Sequence, residues 1–456
     1  MKKDIIDNIA GKKLAVLGGG ESGVGAAILG RKAGMEVLLS DRGTLKESYR
    51  QQLEARGIPY EQGRHSEELI LNADYCVKSP GIPDSSPLVR ALRDKGIPVV
   101  SEIEFAGWFS DARMICITGS NGKTTTTSLL YHIMRESGVD AGLAGNIGKS
   151  LALQVAEDPR PVYVIELSSF QLDGMQDFKA DIAILLNITP DHLDRYGYEM
   201  QNYINSKFRI TQNQGPSDAF IYWDDDPVIE KEVARRDLKA TLLPFSTNDA
   251  NHPDALIQGT DITIAMREEL WTMHCADFKL KGPHNMLNIA AATLASRFFG
   301  LLPQDIEKAA RTFNPVEHRL EFVAEIDGVK WYNDSKATNV ASTFYALSSM
   351  PRGTVLILGG TDKGNDYSEI LPLVKERVKA IVCMGVDNQK LLDFFTGEVP
   401  AIYDTHSLEE AVEACRKAAS PGDTVLLSPC CASFDLFNNY EDRGRRFKTA
   451  VKSLQS

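Results

Sequence analysis

Met114 to Thr125 reads MICITGSNGKTT, and this stretch decides the fold. Met114 to Thr118 is an apolar run of strand length, and Leu129, Leu130 and Ile133 begin a stripe at helical spacing. Between them Thr118-Gly119-Ser120-Asn121-Gly122-Lys123-Thr124-Thr125 forms a glycine-bearing turn. Strand, glycine turn and helix in that order make a phosphate-binding loop. Backbone N–H groups opened by the glycines and the positive end of the helix attract phosphate oxygens. Lys123 adds a point charge at the terminal phosphates, and the Thr124 hydroxyl offers magnesium an oxygen. One position departs from G-x-x-x-x-G-K-[ST]: Ile117 stands where the first glycine belongs.

A chain of 456 residues suggests about three domains at ~150 residues each, and each is long enough to bury a core. The formal charge of −12, with both signs mixed along the chain, argues against nucleic acid or an anionic membrane surface as partner. The opening MKKDIIDNIAGKK has no continuous apolar segment, and no run is long enough to span a bilayer, so a cytoplasmic protein is expected. Seven cysteines at 76, 116, 275, 383, 415, 430 and 431 lie mostly within apolar runs, the usage of reduced core thiols. Cys430-Cys431 is read as a packed neutral pair, because reactivity needs exposure and a lowered pKa.

Ahead of the phosphate loop, Lys12 to Leu17 reads as a buried strand, followed by Gly18-Gly19-Gly20-Glu21-Ser22-Gly23 and a small-residue helix over Val24 to Ala33. A second strand, Glu36 to Ser40, ends at Asp41. This G-x-G-x-x-G arrangement brings backbone close to a diphosphate and provides an acid for a ribose. A later strand, Tyr75 to Lys78, closes on Ser79-Pro80-Gly81-Ile82-Pro83, either a ligand rest or a plain surface turn. After the phosphate loop, Gly145-Asn146-Ile147-Gly148 is another tight turn, and the strand Val162 to Leu167 carries Glu166 and Ser168 to its C-terminal edge. Ligands collect at that edge in parallel sheets, so Glu166 either helps hold a magnesium ion or is a solvated strand end. The strand Asp181 to Ile188 runs into Thr189-Pro190-Asp191-His192-Leu193-Asp194-Arg195, a charged loop either suited to electrostatic work or simply solvated at the surface. Lys207, on a helix over Gln201 to Gln212, reads by itself as a solvated lysine. Asn285 and Asn288 share one face of the first turn of an Ala-rich helix, able to bond a polar ring or to cap the helix.

Past Asn314-Pro315 the α/β alternation resumes, with strands at Lys330 to Tyr332, Val355 to Leu358, Ala380 to Met384 and Thr424 to Leu427. The helix from Ser407 shows a capping box with Glu410 and a stripe of Leu408, Ala411, Val412 and Cys415. Polar clusters at 333–339, 359–364 and 428–434 follow three of these strands, as one composite site would require.

Taken in order, these motifs resemble the Mur ligases, the ATP-dependent amide-forming enzymes of peptidoglycan synthesis. The likeness covers nearly the whole chain. It rests on T-G-S-N-G-K-T-T at 118–125, E-L-S-S-F-Q-L at 166–172, N-I-T-P-D-H-L-D-R at 187–195, H-R at 318–319, N-D-S-K-A-T-N at 333–339 and S-P-x-C-A-S at 428–433. The family's own phosphate loop resembles this one in lacking the early glycine. Cys430 stands where a small residue such as alanine is expected.

The resemblance implies an α/β fold of three domains: a Rossmann-like UDP-substrate domain at 1–102, a central ATP-binding P-loop domain at 103–314 and a Rossmann-like amino-acid-binding domain at 315–456. It is closest to the branch that joins D-glutamate to UDP-N-acetylmuramoyl-L-alanine. By position it implies that Glu21, Ser22, Gly23, Asp41 and Gly81 face the UDP part, and Asn146 and Ser168 the muramoyl end. ATP would lie on Gly119, Ser120, Asn121, Gly122, Lys123, Thr124 and Thr125, with Asn285, Asn288, Arg319 and Asp334 at the nucleoside. Thr124 and Glu166 would serve one magnesium ion, His192 and Lys207 a second, with manganese as a substitute and Lys207 as a carbamate. Thr338, Lys363, Ser433, Phe434 and Tyr440 would bind D-glutamate, and Lys336 would act with Lys123, His192 and Lys207 at the reacting centre. The implied protein is a cytoplasmic monomer. Two rival readings are another Mur-type or folylpolyglutamate-type ligase, and a nicotinamide-dependent oxidoreductase. The first should not open with a G-x-G-x-x-G domain if it is of the folylpolyglutamate type, and the second leaves the phosphate loop without a purpose.

Overall fold

The apolar run ahead of the phosphate loop becomes strand β6, Arg113–Thr118, in a computed structural model that describes residues 6–191, 193–266, 269–314, 317–362 and 364–454. Ile115, Cys116 and Ile117 are fully buried, because β6 is an inner strand with a parallel neighbour on each side. Those neighbours are β8, Val162–Glu166, and β9, Ile182–Leu185. Beyond β8 lies β7, Ala141–Gly145, at one end of the sheet. Beyond β9 follow β10, Ala219–Trp223; β11, Thr241–Ser246; β12, Ala255–Gln258; β13, Asp261–Met266; and β14, Glu269–His274. The chain leaves β6 toward one edge and returns to add β9 on the other side, so the C-terminal end of β6 is a topological switch point, where open parallel sheets leave a ligand crevice.

A five-stranded parallel sheet precedes it, ordered β3-β2-β1-β4-β5, from β1, Lys13–Leu17; β2, Glu36–Asp41; β3, Tyr60–Gln62; β4, Tyr75–Lys78; and β5, Val99–Val100. The third sheet is ordered β15-β16-β20-β17-β18-β19. Its strands are β15, Glu321–Ile326; β16, Val329–Asn333; β17, Thr354–Gly359; β18, Val378–Met384; β19, Ala401–Thr405; and β20, Thr424–Cys430. Only β15 runs antiparallel to its neighbour. The three expected α/β blocks are therefore present. The chain gathers into two compact units: Met1–Phe278 with Asn285–Phe313, which holds the first two sheets, and Lys279–His284 with Asn314–Ser456, which holds the third. Among the described residues no helix is long and apolar enough to cross a membrane.

Local expectations held where periodicity was strong. The stripe Leu408, Ala411, Val412 and Cys415 is buried on the helix Leu408–Ala418. Its capping box forms by half: the Ser407 hydroxyl accepts from the Glu410 N–H, but the Glu410 carboxylate takes the N–H of His406. The helix expected over Gln201 to Gln212 ends as an α-helix at Phe208 and tightens into a 3₁₀ turn over Arg209–Thr211.

Within the first unit the two sheets are joined by buried carboxylates on the helix Glu102–Trp108. Glu104 accepts from the backbone N–H groups of Gln176 (2.8 Å), Asp177 (3.1 Å) and Phe178 (2.8 Å). Glu102 accepts from Ser150 Oγ (2.7 Å) and the Ala152 N–H (2.6 Å). Burial pushes the Glu102 carboxyl up to about 7, the Glu21 carboxylate adding to the rise and the two hydrogen bonds opposing it. A folded-state pKa above the unfolded value favours folding at low pH, and that contribution fades as pH rises from about 4.5 to about 7. Urea unfolding across this range should therefore show Glu102→Gln losing part of the wild-type pH dependence, by roughly 3 kcal/mol at most.

Candidate active site

The turn after β6 uses glycine where the backbone demands it. Gly119 has φ +151° and Gly122, which caps the helix Lys123–Glu136, has φ +85°. A Cβ on Gly122 would stand 2.5 Å from Asn288 Oδ1, so a side chain is excluded by space as well as by conformation. Ile117 needs no such freedom: it is still in the strand, paired with Glu166 and Ile184. Asn187, at the end of the neighbouring strand's run, holds the loop. Its side chain accepts from the Asn121 N–H (2.8 Å) and donates to the Asn121 carbonyl (3.1 Å), while its own carbonyl accepts from the Ser120 N–H (2.9 Å). The Ser120 hydroxyl donates to the Thr189 carbonyl (2.9 Å). Lys123 Nζ folds over the loop onto the carbonyls of Gly119 (2.8 Å) and Ser120 (2.9 Å). Thr124 and Thr125 are buried in the helix's first turn. Asn288 donates to Asn285 (3.0 Å) and accepts from Thr126 Oγ1 (3.1 Å), so this pair ties the first turn of Pro283–Phe299 to the phosphate-loop helix.

Glu166 and Lys207 are the buried charges of this edge. Glu166 is 1% exposed; its Oε1 accepts from Asn146 Nδ2 (2.8 Å), and its Oε2 has no hydrogen-bond partner among the described residues. A buried carboxylate oxygen left bare costs several kcal/mol, and a hard cation is the group that would satisfy it. Among the described residues no cluster of three or more His, Cys, Asp or Glu side chains is gathered. Lys207 is 2% exposed, with Nζ on the Gly119 carbonyl (2.8 Å) and 4.9 Å from the Tyr203 ring. Burial drives its pKa well below the usual lysine range, and Lys123 drives it further against the pull of Asp191, Asp173 and Glu166. The solvated lysine that the residue alone suggested is in fact a buried one, whose charged form burial disfavours. Ser168 caps the helix Ser169–Asp173 in a complete capping box with Gln171. His192 lies outside the described residues.

On the first sheet, Gly19 and Gly43 both donate their N–H to the Asp41 carboxylate, which thus shapes the glycine loop. Ser22 and Gly23 lie in the first turn of the helix Glu21–Lys32. Glu21 accepts from the Ser150 N–H (3.1 Å), and Gly81 lies exposed in the turn after β4.

In the second unit the polar clusters follow β16, β17 and β20, which are adjacent and parallel, so they share one sheet edge as the composite-site reading requires. Asp334 is buried, accepting from the Leu320 N–H (3.1 Å) and Ser428 Oγ (2.9 Å). Burial pushes it up to about 7, with Ser428 and Arg319 opposing. Arg319 is flanked by His318 (φ +65°) and Leu320 (φ +45°), two non-glycine residues in the left-handed region, a conformation that costs about 1–3 kcal/mol at each. Lys336 Nζ stands 5.4 Å from the Tyr440 ring. Ser433 is buried, Thr338 and Phe434 are exposed, and Lys363 lies outside the described residues. All seven cysteines are buried thiols, and burial pushes Cys431 up to about 11 and Cys430 well above the usual thiol range, in keeping with a packed neutral pair.

Three family models match the chain in sequence: the Mur ligase MurD-like N-terminal domain over residues 12–101, the Mur ligase middle domain over 117–296, and the Mur ligase glutamate ligase domain over 318–431. The UDP-N-acetylmuramoylalanine--D-glutamate ligase of Bacteroides fragilis is 54% identical over 97% of this chain and 100% of its own length. The chain belongs to the Mur ligase family. The protein of the same name from Chlorobaculum parvum is 42% identical over 98% of this chain and 99% of its own. Among solved structures, the UDP-N-acetylmuramate-alanine ligase MurC of Thermotoga maritima matches with a TM-score of 0.61 at 18% identity, over 97% of this chain and 99% of its own. A pseudomurein peptide ligase type C from Methanothermus fervidus matches with a TM-score of 0.64 at 16% identity, over 97% and 100%. At those identities the likeness concerns the fold.

One residue of this Mur ligase was not found by reading motifs. Arg443 is 1% exposed on the helix Tyr440–Ser453 and donates to Ser335 Oγ (3.0 Å), the Ser335 carbonyl (2.8 Å) and the Cys431 carbonyl (3.2 and 3.3 Å). It ties the 333–339 segment to the 428–433 segment. The available signal was a cation at helical spacing with Phe447 and Val451, in what is otherwise a buried stripe. Arg443→Met should leave both carbonyls unsatisfied and lower stability in urea by about 2–4 kcal/mol, with Arg443→Lys recovering part, since an ammonium lacks the planar fork.

Proposed function

We propose that the chain is an ATP-dependent carboxylate–amine ligase that adds D-glutamate to UDP-N-acetylmuramoyl-L-alanine, acting as a cytoplasmic monomer in peptidoglycan precursor synthesis. The observation that carries this reading is the phosphate-loop edge itself, where Lys123, the buried Lys207 and the bare Glu166 oxygen meet around the turn after β6. The full-length likeness to relatives bearing that enzyme's name supports the choice of acceptor and amino acid.

A carboxylate is too poor an electrophile to take an amine near neutrality. In the proposed reaction the alanyl carboxylate attacks the γ-phosphate of ATP, giving an acyl phosphate and ADP. The amine of D-glutamate then attacks the acyl carbon, and the tetrahedral intermediate expels phosphate. Such steps need positioning and positive charge more than a nucleophilic side chain. Lys123 supplies charge at the phosphates from its seat on the loop, and Thr124 with Glu166 would hold one magnesium ion, which when bound supplies further neutralisation. Lys207, which burial pushes toward its neutral form, can in that form add carbon dioxide and lose a proton, becoming a carbamate whose oxygens, with His192, would suit a second ion. Asn285, Asn288, Arg319 and Asp334 are assigned to the nucleoside. Glu21, Ser22, Gly23, Asp41 and Gly81 are assigned to the UDP moiety, with Asn146 and Ser168 at the muramoyl end. Lys336, Thr338, Lys363, Ser433, Phe434 and Tyr440 are assigned to the amino acid and its reacting amine.

Phosphate release from ATP with UDP-N-acetylmuramoyl-L-alanine and a panel of amino acids tests the assignment. D-glutamate should be preferred, and a preference for L-alanine, L-lysine or diaminopimelate would refute it. Lys207→Ala should lose activity by about a hundredfold or more, with partial recovery on adding short carboxylic acids; unchanged turnover would remove Lys207 from the metal site.

A further inference from the structure

The helix Leu151–Glu157 belongs to the second sheet's chain segment, yet it is gripped along its length by the first. At its start Ser150 is held by two carboxylates: Glu102 accepts from its hydroxyl (2.7 Å) and Glu21 from its N–H (3.1 Å). Glu102 also accepts from the Ala152 N–H (2.6 Å). Gly25, on the helix Glu21–Lys32, allows this approach, because a Cβ there would collide with Ser150 Oγ and come 2.8 Å from Ser150 Cβ. Lys32 donates to the Ala156 carbonyl, and Arg56 pairs with Glu157 at the far end.

The held helix is the direct continuation of the turn at 145–149, and that turn carries Asn146, which fixes Glu166 Oε1 (2.8 Å). One short path therefore runs from the glycine loop of the first sheet through Glu21, Ser150 and Asn146 to the carboxylate beside β6. Glu102 is its buried anchor, fully enclosed and reaching neither the phosphate loop nor Glu166 by a hydrogen bond of its own.

We propose that Glu102 is a positioning residue for the ligation: it sets the glycine loop of the first sheet at a fixed distance from the strand edge of the second, so that an acceptor held by one presents its carboxylate to the nucleotide held by the other. This rests on the acceptor assigned above. A residue acting only through the relation between two subsites leaves the nucleotide's own affinity intact and weakens both the productive binding and the reaction of an acceptor that spans them. Glu102→Ala should raise the KM for UDP-N-acetylmuramoyl-L-alanine and lower kcat, together reducing kcat/KM about tenfold or more, while the Kd for ADP stays within about twofold. Glu102→Gln keeps an acceptor oxygen for Ser150 and Ala152 and should recover most of the loss. Ser150→Ala removes one of the donors on Glu102 and should shift the same parameters in the same direction by less; it carries the test if Glu102→Ala does not fold. Unchanged acceptor kinetics in the folded alanine variants would overturn the proposal, as would ADP affinity falling in step with them. Wild-type protein that binds ADP but does not turn over this acceptor would instead refute the functional reading, and the positioning role with it.

Discussion

Two lysine amines donate to one carbonyl oxygen, that of Gly119, each at 2.8 Å. The carbonyl faces them because the chain leaves a buried inner strand through a glycine at φ +151°. Two ammonium groups so placed repel, and only one of them has water to screen it: Lys123 is partly exposed and Lys207 is enclosed. The enclosed one is pushed toward its neutral form. The turn that shapes a phosphate site thus also brings two lysines of unequal burial onto one carbonyl. Asn187, Tyr203 and Asn288 all pack on or bond to the same turn, so the neighbouring elements are arranged by it.

How much of this the sequence disclosed depends on whether a residue's environment is local. The phosphate loop, the glycine loop, the strands β1, β2, β4, β6, β8 and β9, and the clusters after β16, β17 and β20 were legible, because each couples an apolar run to turn residues beside it. The extension from β10 to β14 was not. Its last strand, Glu269–His274, has one buried residue, Met273, and an exposed edge strand carries no apolar alternation to read. Ile117 shows the opposite error, in which a pattern asks for glycine at a position that the fold makes an inner strand residue.

Long-range burial was the least legible of all. Ser101 caps the helix Glu102–Trp108, and the acids of its first turn, Glu102 and Glu104, are buried instead of solvated. The two acids are buried only because segments about fifty and seventy residues later supply Ser150, Ala152 and the N–H groups of 176–178. Arg443 is concealed in the same way by partners 108 and 12 residues away. Glu166 was placed at the right edge from sequence, but that one of its oxygens is bonded and the other bare follows from Asn146, which only the fold brings alongside.

These buried charges share a logic. Glu102, Asp334 and Lys207 each lose hydration and each is pushed toward its neutral form, Glu102 and Asp334 upward to about 7 and Lys207 well downward. A buried ionisable group of this kind is a weak source of stability, since apolar packing of the same volume would serve as well or better. What it offers is direction: a carboxylate that accepts from a hydroxyl and a backbone N–H determines which residues it faces and at what distance, whereas a leucine tolerates a slide. Glu102 lies where two sheets must keep register and Lys207 where a loop must face phosphates. The chain accepts the expense of burying charge at the places where the chemistry needs distances held.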